Sequence, residues 1–267
     1  KKLYALRDVT ATVESLPLIA SSIMSKKLAA GCDGIVLDVK AGSGAFMKTV
    51  DGARQLAMEM VSIGKSAGKA MTAVISDMNQ PLGWAIGNRL EVEEAIEVLR
   101  GEGPKDVRQL TLKLGTHMLV LGRRAATPEE GEAILEELLD NGEGWEQFQR
   151  FVKAQGGDLS RMRGTAMETE EVTLKPGVVQ AMDTEMIGAA AMCLGAGRKT
   201  KDDVIEYGAG IRIHKKIGDR LAAGESAATL YYSHGADVEA AWNLVRQAYH
   251  MGEEPVSPPP LIHDIIT

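Results

Sequence analysis

Arg7, Ser22 and Lys26 are three side chains near the start of the chain whose types and spacing suit a planar, polar ligand. Arginine offers a fixed fork of donors, lysine a mobile positive charge, and serine a hydroxyl that both donates and accepts. Together they suit a ligand with adjacent carbonyl and imide groups, or an anion that forms as a bond breaks. A Ser/Lys pair one helical turn apart is also common on an ordinary solvated helix face, so both interpretations stay open.

The glycine loop AGSG, residues 41–44, is a weaker candidate site. Its backbone N–H groups can face an anion. The loop lacks the glycine spacing of a P-loop or of a dinucleotide-binding turn. A tight turn between a strand and a helix is therefore the favoured interpretation.

A second loop, DMNQPLGWAIGN, contains oxygen atoms of the kind that hard cations prefer. Asp77, Asn79 and the carbonyls around Leu82 and Ala85 can line such a site. Glu94, on the helix that follows, can supply negative charge. Capping and turn formation explain the same residues equally well.

Other chemistries find no support in the sequence. None of the five histidines pairs with a nucleophile, so a triad or metal-hydrolase mechanism is not indicated, and His263 near the C-terminus is expected to be exposed. Cys32 and Cys193 have no CxxC spacing and no histidine cluster near them. A disulfide framework or a zinc site is therefore not predicted.

The charge balance narrows the classes of partner. A formal net charge of -7 and a pI near 5.4 argue against nucleic acid or an anionic membrane as the main partner. No stretch approaches the roughly 20 apolar residues of a membrane helix, and the start of the chain has no signal-peptide pattern. We therefore predict a cytoplasmic protein that does not bind membranes or nucleic acid.

A helix must position Ser22 and Lys26. Ser15 is expected to cap it, Pro17 suits its first turn, and Gly31 is expected to end it. Turning about 100° per residue places Ser22 and Lys26 together on the edge of an apolar face. That face is formed by Leu16, Ile19, Ala20, Ile23, Met24 and Leu28.

Strands and helices alternate after this helix. Two apolar runs, GIVLDVKA and KAMTAVIS, predict buried parallel strands, with helices expected at about 51–68 and 91–100. This order predicts an α/β fold with a largely parallel sheet. Ligands of such sheets lie at the carboxyl ends of the strands, where both candidate loops fall.

The rest of the chain changes character. Residues 104–155 are predicted to be mostly helical, with Thr127 as a cap, and a polar linker is expected from Gly156 and Gly157 to about Glu170. Short strands joined by glycine turns, a helix and an extended proline-rich tail are expected beyond it. We therefore predict three regions: residues 1–31 as the end of a small helical domain, 32–160 as a large α/β domain, and 161–267 as an α+β module resembling a barrel-sandwich.

The segment YALRDVTATVESLPLIASSIMSKKLAAG closely resembles the signature of the thymidine and pyrimidine-nucleoside phosphorylases. The resemblance continues through DGIVLDVKAGSGAFMK, SDMNQPLGWAIGN, GIRIHKKIGDRL and PPPLI, and so covers nearly the whole chain. QPLGWAIGN and HKKIGD are more similar to the pyrimidine-nucleoside branch than to the strict thymidine branch.

The resemblance implies a pentosyltransferase that carries out reversible phosphorolysis. A pyrimidine nucleoside, such as uridine, deoxyuridine or thymidine, and phosphate give the free base and a pentose 1-phosphate. Arg7, Ser22 and Lys26 match the base-binding trio of the family, and Tyr4 lies just before it. Because phosphate itself attacks, no covalent nucleophile is needed.

The resemblance also implies a potassium ion, a dimer and a longer protein. Leu82 and Ala85, through their carbonyls, and Glu94, through its carboxylate, match positions that hold a structural potassium ion. Family members are homodimers formed through the helical domain. The family's phosphate loop precedes the point where this chain begins, at Lys1. We therefore expect a protein of this sequence alone to bind phosphate poorly and to turn over slowly or not at all.

Four alternatives compete with this hypothesis. One is a strict thymidine phosphorylase, and another is an inactive, base-binding fragment. An anthranilate phosphoribosyltransferase-like protein shares the helical and α/β plan but lacks the RDVTATVES segment and the C-terminal β module. A lipoyl or biotinyl carrier is suggested by the HKKIGDRLAAGE hairpin, although Lys215 and Lys216 do not lie in a modification motif.

Overall fold

The computed structural model describes residues 15–162, 167–198 and 202–267. Tyr4 and Arg7 therefore lie outside the described residues. The helices, in chain order, are α1 (Leu16–Ala29), α2 (Val50–Ser66), α3 (Asn88–Leu99), α4 (Lys105–Leu121), α5 (Pro128–Asp140), α6 (Glu143–Ala154), α7 (Thr184–Cys193) and α8 (Val238–Ala248), with a 3-10 turn at Leu159–Met162. The strands are β1 (Gly34–Ala41), β2 (Ala70–Asp77), β3 (Ala85–Ile86), β4 (Glu168–Thr173), β5 (Gly177–Met182), β6 (Gly210–Ile213), β7 (Arg220–Leu221), β8 (Ser226–Tyr232), β9 (Tyr249–Gly252) and β10 (Ile262–Ile266).

The chain forms two compact units. Unit 1 contains the described residues up to Asp77 together with Leu110–Leu135 and Pro260–Thr267. Unit 2 contains Met78–Gln109 and Glu136–Pro259. Unit 1 is therefore assembled from three separate stretches of sequence.

Unit 1 is built on a three-stranded sheet of order β1-β2-β10. β1 and β2 pair in parallel from Gly34 opposite Ala70 to Ala41 opposite Asp77, and β10 runs antiparallel to β2. Apolar side chains of α1, α2 and both parallel strands form one buried core. β2 is buried at every residue but its first, as expected for the central strand of a parallel arrangement.

Helix α1 follows its sequence pattern, except at its cap. Ile19, Ala20 and Met24 are buried in the unit 1 core, and the other predicted apolar residues pack partly against it, which confirms the predicted face. Gly31 follows the helix with a φ of 77°, in the left-handed region that favours glycine. Ser15 is the N-cap residue, as predicted, but its side chain makes no cap hydrogen bond. Pro17, at the second helical position, has no N–H to donate to it.

Unit 2 is an α+β structure with two antiparallel sheets, of order β3-β6-β8-β4 and β7-β5-β9. Buried residues of these sheets and of α7 and α8 form a second core. Together with the parallel pair of unit 1, this confirms the predicted class: an α/β fold followed by a β-rich C-terminal part. The segment VTLKPGVVQAMD contains the end of β4 and all of β5, and these two strands belong to different sheets.

The proline-rich end of the chain differs from its prediction as a simple extended tail. β10 follows PPPL and joins the sheet of unit 1 beside β2. Unit 1 therefore depends on residues from both ends of the described chain. No helix among the described residues combines the length and the apolar character needed to cross a membrane.

Candidate functional site

Helix α1 brings Ser22 and Lys26 to one edge, one turn apart. Ser22 is half-buried and Lys26 is exposed, while Met24 between them points into the core. Because burial of the apolar stripe fixes the rotation of the helix, it also fixes which way these two polar side chains face. Lys26 lies in the last turn, where a positive charge interacts favourably with the helix dipole.

The glycine loop after β1 is held closed by its own backbone. The N–H of Gly42 donates to the carbonyl of Met47 at 3.0 Å, and that of Ala45 donates to the carbonyl of Gly42 at 3.0 Å. The Lys48 Nζ donates to the carbonyl of Ser43 at 2.8 Å. Two amides of the loop are thus engaged internally, which supports the tight strand-to-helix turn rather than an anion cradle.

A cluster of polar side chains near the carboxyl end of the parallel pair was not predicted. Lys40 Nζ lies 2.7 Å from Asp38 Oδ2 and donates to Ser76 Oγ at 3.0 Å. Ser76 is fully buried and donates to Asp38 Oδ1 at 2.5 Å. Asp38 and Lys40 alternate with apolar residues along β1. Because side chains of a strand alternate between its two faces, this pattern in the sequence indicates that the two residues share one face.

His263 and Asp77 form a second polar pair at this edge. His263 Nε2 lies 3.2 Å from Asp77 Oδ1, and their side chains are only 13% and 4% exposed. The prediction that His263 is exposed is therefore wrong. Its burial follows from the pairing of β10 with β2, which carries it to the end of that strand.

The predicted cation loop lies in unit 2, and Glu94 organises it. Glu94 is 7% exposed, and its Oε1 accepts hydrogen bonds from the N–H groups of Trp84 at 2.8 Å and Ala85 at 3.1 Å. Burial raises the pKa of the Glu94 carboxyl, although these two backbone bonds act in the opposite direction. A buried carboxylate of this kind is a group that a cation would stabilise.

Gly83 allows the loop to approach this carboxylate. Its φ of 69° is left-handed, and a Cβ there would come within 1.9 Å of Glu94 Oε2. Any larger residue would collide with the carboxylate. The glycine thus makes room for Oε2 beside the loop.

Asp106 and Lys216 complete the same cluster, and sequence reasoning missed both. Asp106 Oδ2 accepts a hydrogen bond from the N–H of Gly83 at 3.1 Å and a short one from Lys216 Nζ. The Lys216 ammonium also lies 4.9 Å from the centre of the Trp84 ring. Lys216 lies 110 residues after Asp106, so local spacing gave no signal for this contact.

The oxygen atoms at this loop suit a hard cation better than a transition metal. Carboxylate and carbonyl oxygens are the ligands of hard cations. Among the described residues there is no group of three or more His, Cys, Asp or Glu side chains that could hold a metal ion.

A groove of about 1100 Å³ in unit 2 is separate from these residues. It is lined mainly by apolar side chains, including Val92, Phe148, Met192 and Tyr207. None of the predicted site residues lines it, and its few charges are of both signs. It does not contribute to the candidate site.

Comparison with known protein families identifies the family of this chain. Residues 1–145 match the family described as "Glycosyl transferase family, a/b domain", and this match spans more than half of the chain. The chain therefore belongs to this glycosyl transferase family. Residues 178–252 match the "Pyrimidine nucleoside phosphorylase C-terminal domain".

Individual relatives narrow the class. The pyrimidine-nucleoside phosphorylase of Bacillus subtilis (strain 168) is 50% identical, over 100% of the chain and 63% of its own length. That of Staphylococcus aureus (strain bovine RF122 / ET3-1) is 51% identical with the same coverage. These matches confirm the resemblance to the pyrimidine-nucleoside phosphorylases. The chain spans 63% of the length of these relatives.

Proposed function

We propose that the protein containing this chain carries out reversible phosphorolysis of pyrimidine nucleosides, giving the free base and a pentose 1-phosphate. The observation that carries the proposal is that about half of all residues are identical to pyrimidine-nucleoside phosphorylases along the entire chain. The arrangement of Ser22 and Lys26 on α1 agrees with this chemistry. The proposal covers uridine, deoxyuridine and thymidine as substrates.

Stabilisation of the departing base is the main task of the α1 residues. As the glycosidic bond breaks, the sugar gains oxocarbenium character and negative charge develops on the pyrimidine ring. Lys26 would place a positive charge, and Ser22 a hydroxyl donor, against the carbonyl and imide edge of the ring. Such donors lower the barrier because they interact more strongly with the charged base than with the neutral nucleoside. Arg7 is proposed as the third member of the set, with Tyr4 beside it.

Phosphate is the second substrate and the nucleophile. Its oxygen forms the new bond to the anomeric carbon while the bond to the base nitrogen breaks, and the base leaves with the electron pair and is then protonated. The phosphate loop implied by the family corresponds to none of the motifs identified in these 267 residues. In our proposal this chain supplies the base-binding side of the reaction.

We also propose that Glu94 and the carbonyls of Leu82 and Ala85 hold a potassium ion. The burial of Glu94 and the space that Gly83 leaves beside its carboxylate support this assignment. A bound potassium ion supplies no chemistry to the reaction and fixes the shape of the loop.

A homodimer and a cytoplasmic location complete the proposal. Both rest on the resemblance to the family and on the composition of the chain. Sedimentation equilibrium of the intact protein is expected to give twice the mass of one chain. A mass of one chain at micromolar concentration would contradict the dimer.

The experiment that tests the function is release of uracil from uridine and of thymine from thymidine, followed by ultraviolet absorbance with and without phosphate. Release from both nucleosides that requires phosphate is the expected result. Release without phosphate would indicate a hydrolase and overturn the proposal. Release from thymidine alone would identify the strict thymidine enzyme, the alternative within the same family. An intact protein that binds uracil but releases no base would match the base-binding fragment and overturn catalysis.

A further inference from the structure

Charged side chains of both signs lie around the loop at residues 82–85. Glu94 accepts the N–H groups of Trp84 and Ala85, and Asp106 accepts that of Gly83. Lys216 binds the same oxygen of Asp106, Oδ2, that accepts the Gly83 N–H. The ammonium of Lys216 thus stands next to a carboxylate that faces the loop.

Lys216 is fixed in this place by its own backbone. The N–H of Lys216 donates to Asp219 Oδ2 at 2.8 Å, and the N–H of Ile217 donates to Gln80 Oε1 at 2.9 Å. The Lys216 side chain is only 11% exposed, and the Trp84 ring lies beside its ammonium. The positive charge is therefore a built part of the loop environment and not a mobile surface charge.

Glu94 and Asp106 bond the loop, and Lys216 bonds Asp106 and contacts the Trp84 ring. These three side chains together carry one net negative charge, which a single monovalent cation would neutralise; the Asp219 carboxylate accepts the backbone N–H of Lys216. A divalent cation would leave an excess positive charge in a largely buried place, which is costly. Asp106 is moreover held by Lys216, so it is not available as the second carboxylate ligand that calcium or magnesium sites use.

We propose that Lys216 makes the cation site at the 82–85 loop selective for monovalent over divalent ions. The inference rests on the proposed potassium site of Leu82, Ala85 and Glu94. Lys216 is not a ligand in this account. It acts by neutralising Asp106 and by withholding that carboxylate from the ion.

The test is thermal unfolding of the intact protein in potassium, sodium, calcium and magnesium chlorides at matched ionic strength. A bound ion raises the melting temperature, and the stabilisation grows with the logarithm of the ion concentration relative to its dissociation constant. The natural protein is expected to be stabilised by potassium relative to sodium and not by calcium. Lys216→Met is expected to gain a calcium response, with an apparent calcium affinity at least about tenfold tighter. Lys216→Arg, which keeps the charge, is expected to behave as the natural protein.

A double variant covers the case in which an unpaired Asp106 destabilises Lys216→Met. Lys216→Met combined with Asp106→Asn restores one net negative charge and removes the second carboxylate. It is expected to keep the preference for potassium and to show no calcium response. A calcium response in the double variant would overturn the proposal.

Glu94→Gln separates failure of this proposal from failure of the site itself. If Glu94→Gln loses the potassium response but Lys216→Met shows no calcium response, Lys216 does not set selectivity and the potassium site stands. If the natural protein and Glu94→Gln respond identically to all four salts, there is no cation site at this loop. Neither result depends on the assay of base release.

Discussion

Lys26 is exposed on the last turn of α1, and its neighbour Lys27 is exposed as well. If Lys26 stabilises charge on the departing base, Lys26→Ala in the intact protein should lower kcat by roughly a hundredfold or more. Because the side chain is exposed, the free energy of unfolding should change by no more than about 0.5 kcal/mol. Phosphate-dependent uracil release and urea unfolding measure the two effects.

Lys27→Ala is the matched control for this prediction. It removes the same charge from the same turn, and we expect kcat to stay near that of the natural protein. A large loss of stability with retained activity in Lys26→Ala would show that Lys26 has a structural role instead.

Burial raises the pKa of the Glu94 carboxyl above the ordinary value of 4.5. We therefore expect Glu94 to make the free energy of unfolding depend on pH. A carboxyl with a raised folded pKa contributes stability that is fully present below 4.5 and is lost as pH rises through the folded pKa. In sodium buffer, the free energy of unfolding should therefore lose this contribution as pH rises towards neutral. In our proposal potassium binds the ionised carboxylate, so potassium buffer should reduce the loss.

Urea unfolding at a series of pH values, in sodium and in potassium buffers, measures this effect. Glu94→Gln serves as the control because it cannot ionise, and its slope of stability against pH should be flatter than that of the natural protein. Equal slopes in the two proteins would assign the pH dependence to other groups.

Strand β10 is the element whose removal should affect unit 1 most clearly. Ending the chain after Leu261 removes the antiparallel partner of β2 along Ala73–Ser76, and the pairings of Asp264 with Arg54 and His263 with Asp77. Several ladder hydrogen bonds and part of the core would be lost, so we expect a loss on the order of 3–5 kcal/mol. The midpoint of urea unfolding measures it.

Removal of Thr267 alone is the control for the truncation, since β10 ends at Ile266. We expect only a small change in the midpoint for this variant. An unchanged midpoint for the longer truncation would mean that β10 contributes little to unit 1.

The elements differ in how far sequence could predict them. α1, α2, β1 and β2 were predictable because each repeats its apolar residues at the period of a helix or forms an apolar run typical of a buried strand. β3 was not, because two residues are too few for a pattern, and β10 was not, because IHDII neither alternates polar and apolar residues nor forms a continuous apolar run. Both strands form by pairing with a distant strand.

The same physical reason separates the predicted and the missed side chains of the candidate site. Ser22 and Lys26 share a helix face, so spacing alone placed them together. Lys216 meets Asp106, and His263 meets Asp77, only after the sheets form. The spacing of residues in the sequence does not indicate contacts between such distant positions.

At the scale of the whole molecule, β3 bears on the predicted boundary near residue 160. β3 precedes this boundary, yet it pairs with β6 in the unit 2 sheet, and the N–H of Ile213 donates to the carbonyl of Trp84 at 2.8 Å. A fragment of residues 161–267 would lack this partner. We expect the amide of Ile213 to exchange hydrogen slowly in the whole chain and rapidly in the fragment.

The amide of His214 is the internal control for this exchange measurement. It donates to the carbonyl of Ala227 at 2.8 Å, and both residues are present in the fragment. Equal protection of Ile213 in the fragment and in the whole chain would show that the predicted module 161–267 folds without β3.

The long stretch of sequence between β2 and its partner β10 also has a consequence for synthesis on the ribosome. Chains emerge from their N-terminus, and early domains usually begin to fold before later ones are made. The edge of β2 that β10 covers stays open while residues 78–259 are translated, because β10 follows them in the sequence. An open strand edge is a template for pairing with other chains. The nascent chain can therefore pair with other chains through this edge of β2 until β10 has been made and has paired with it.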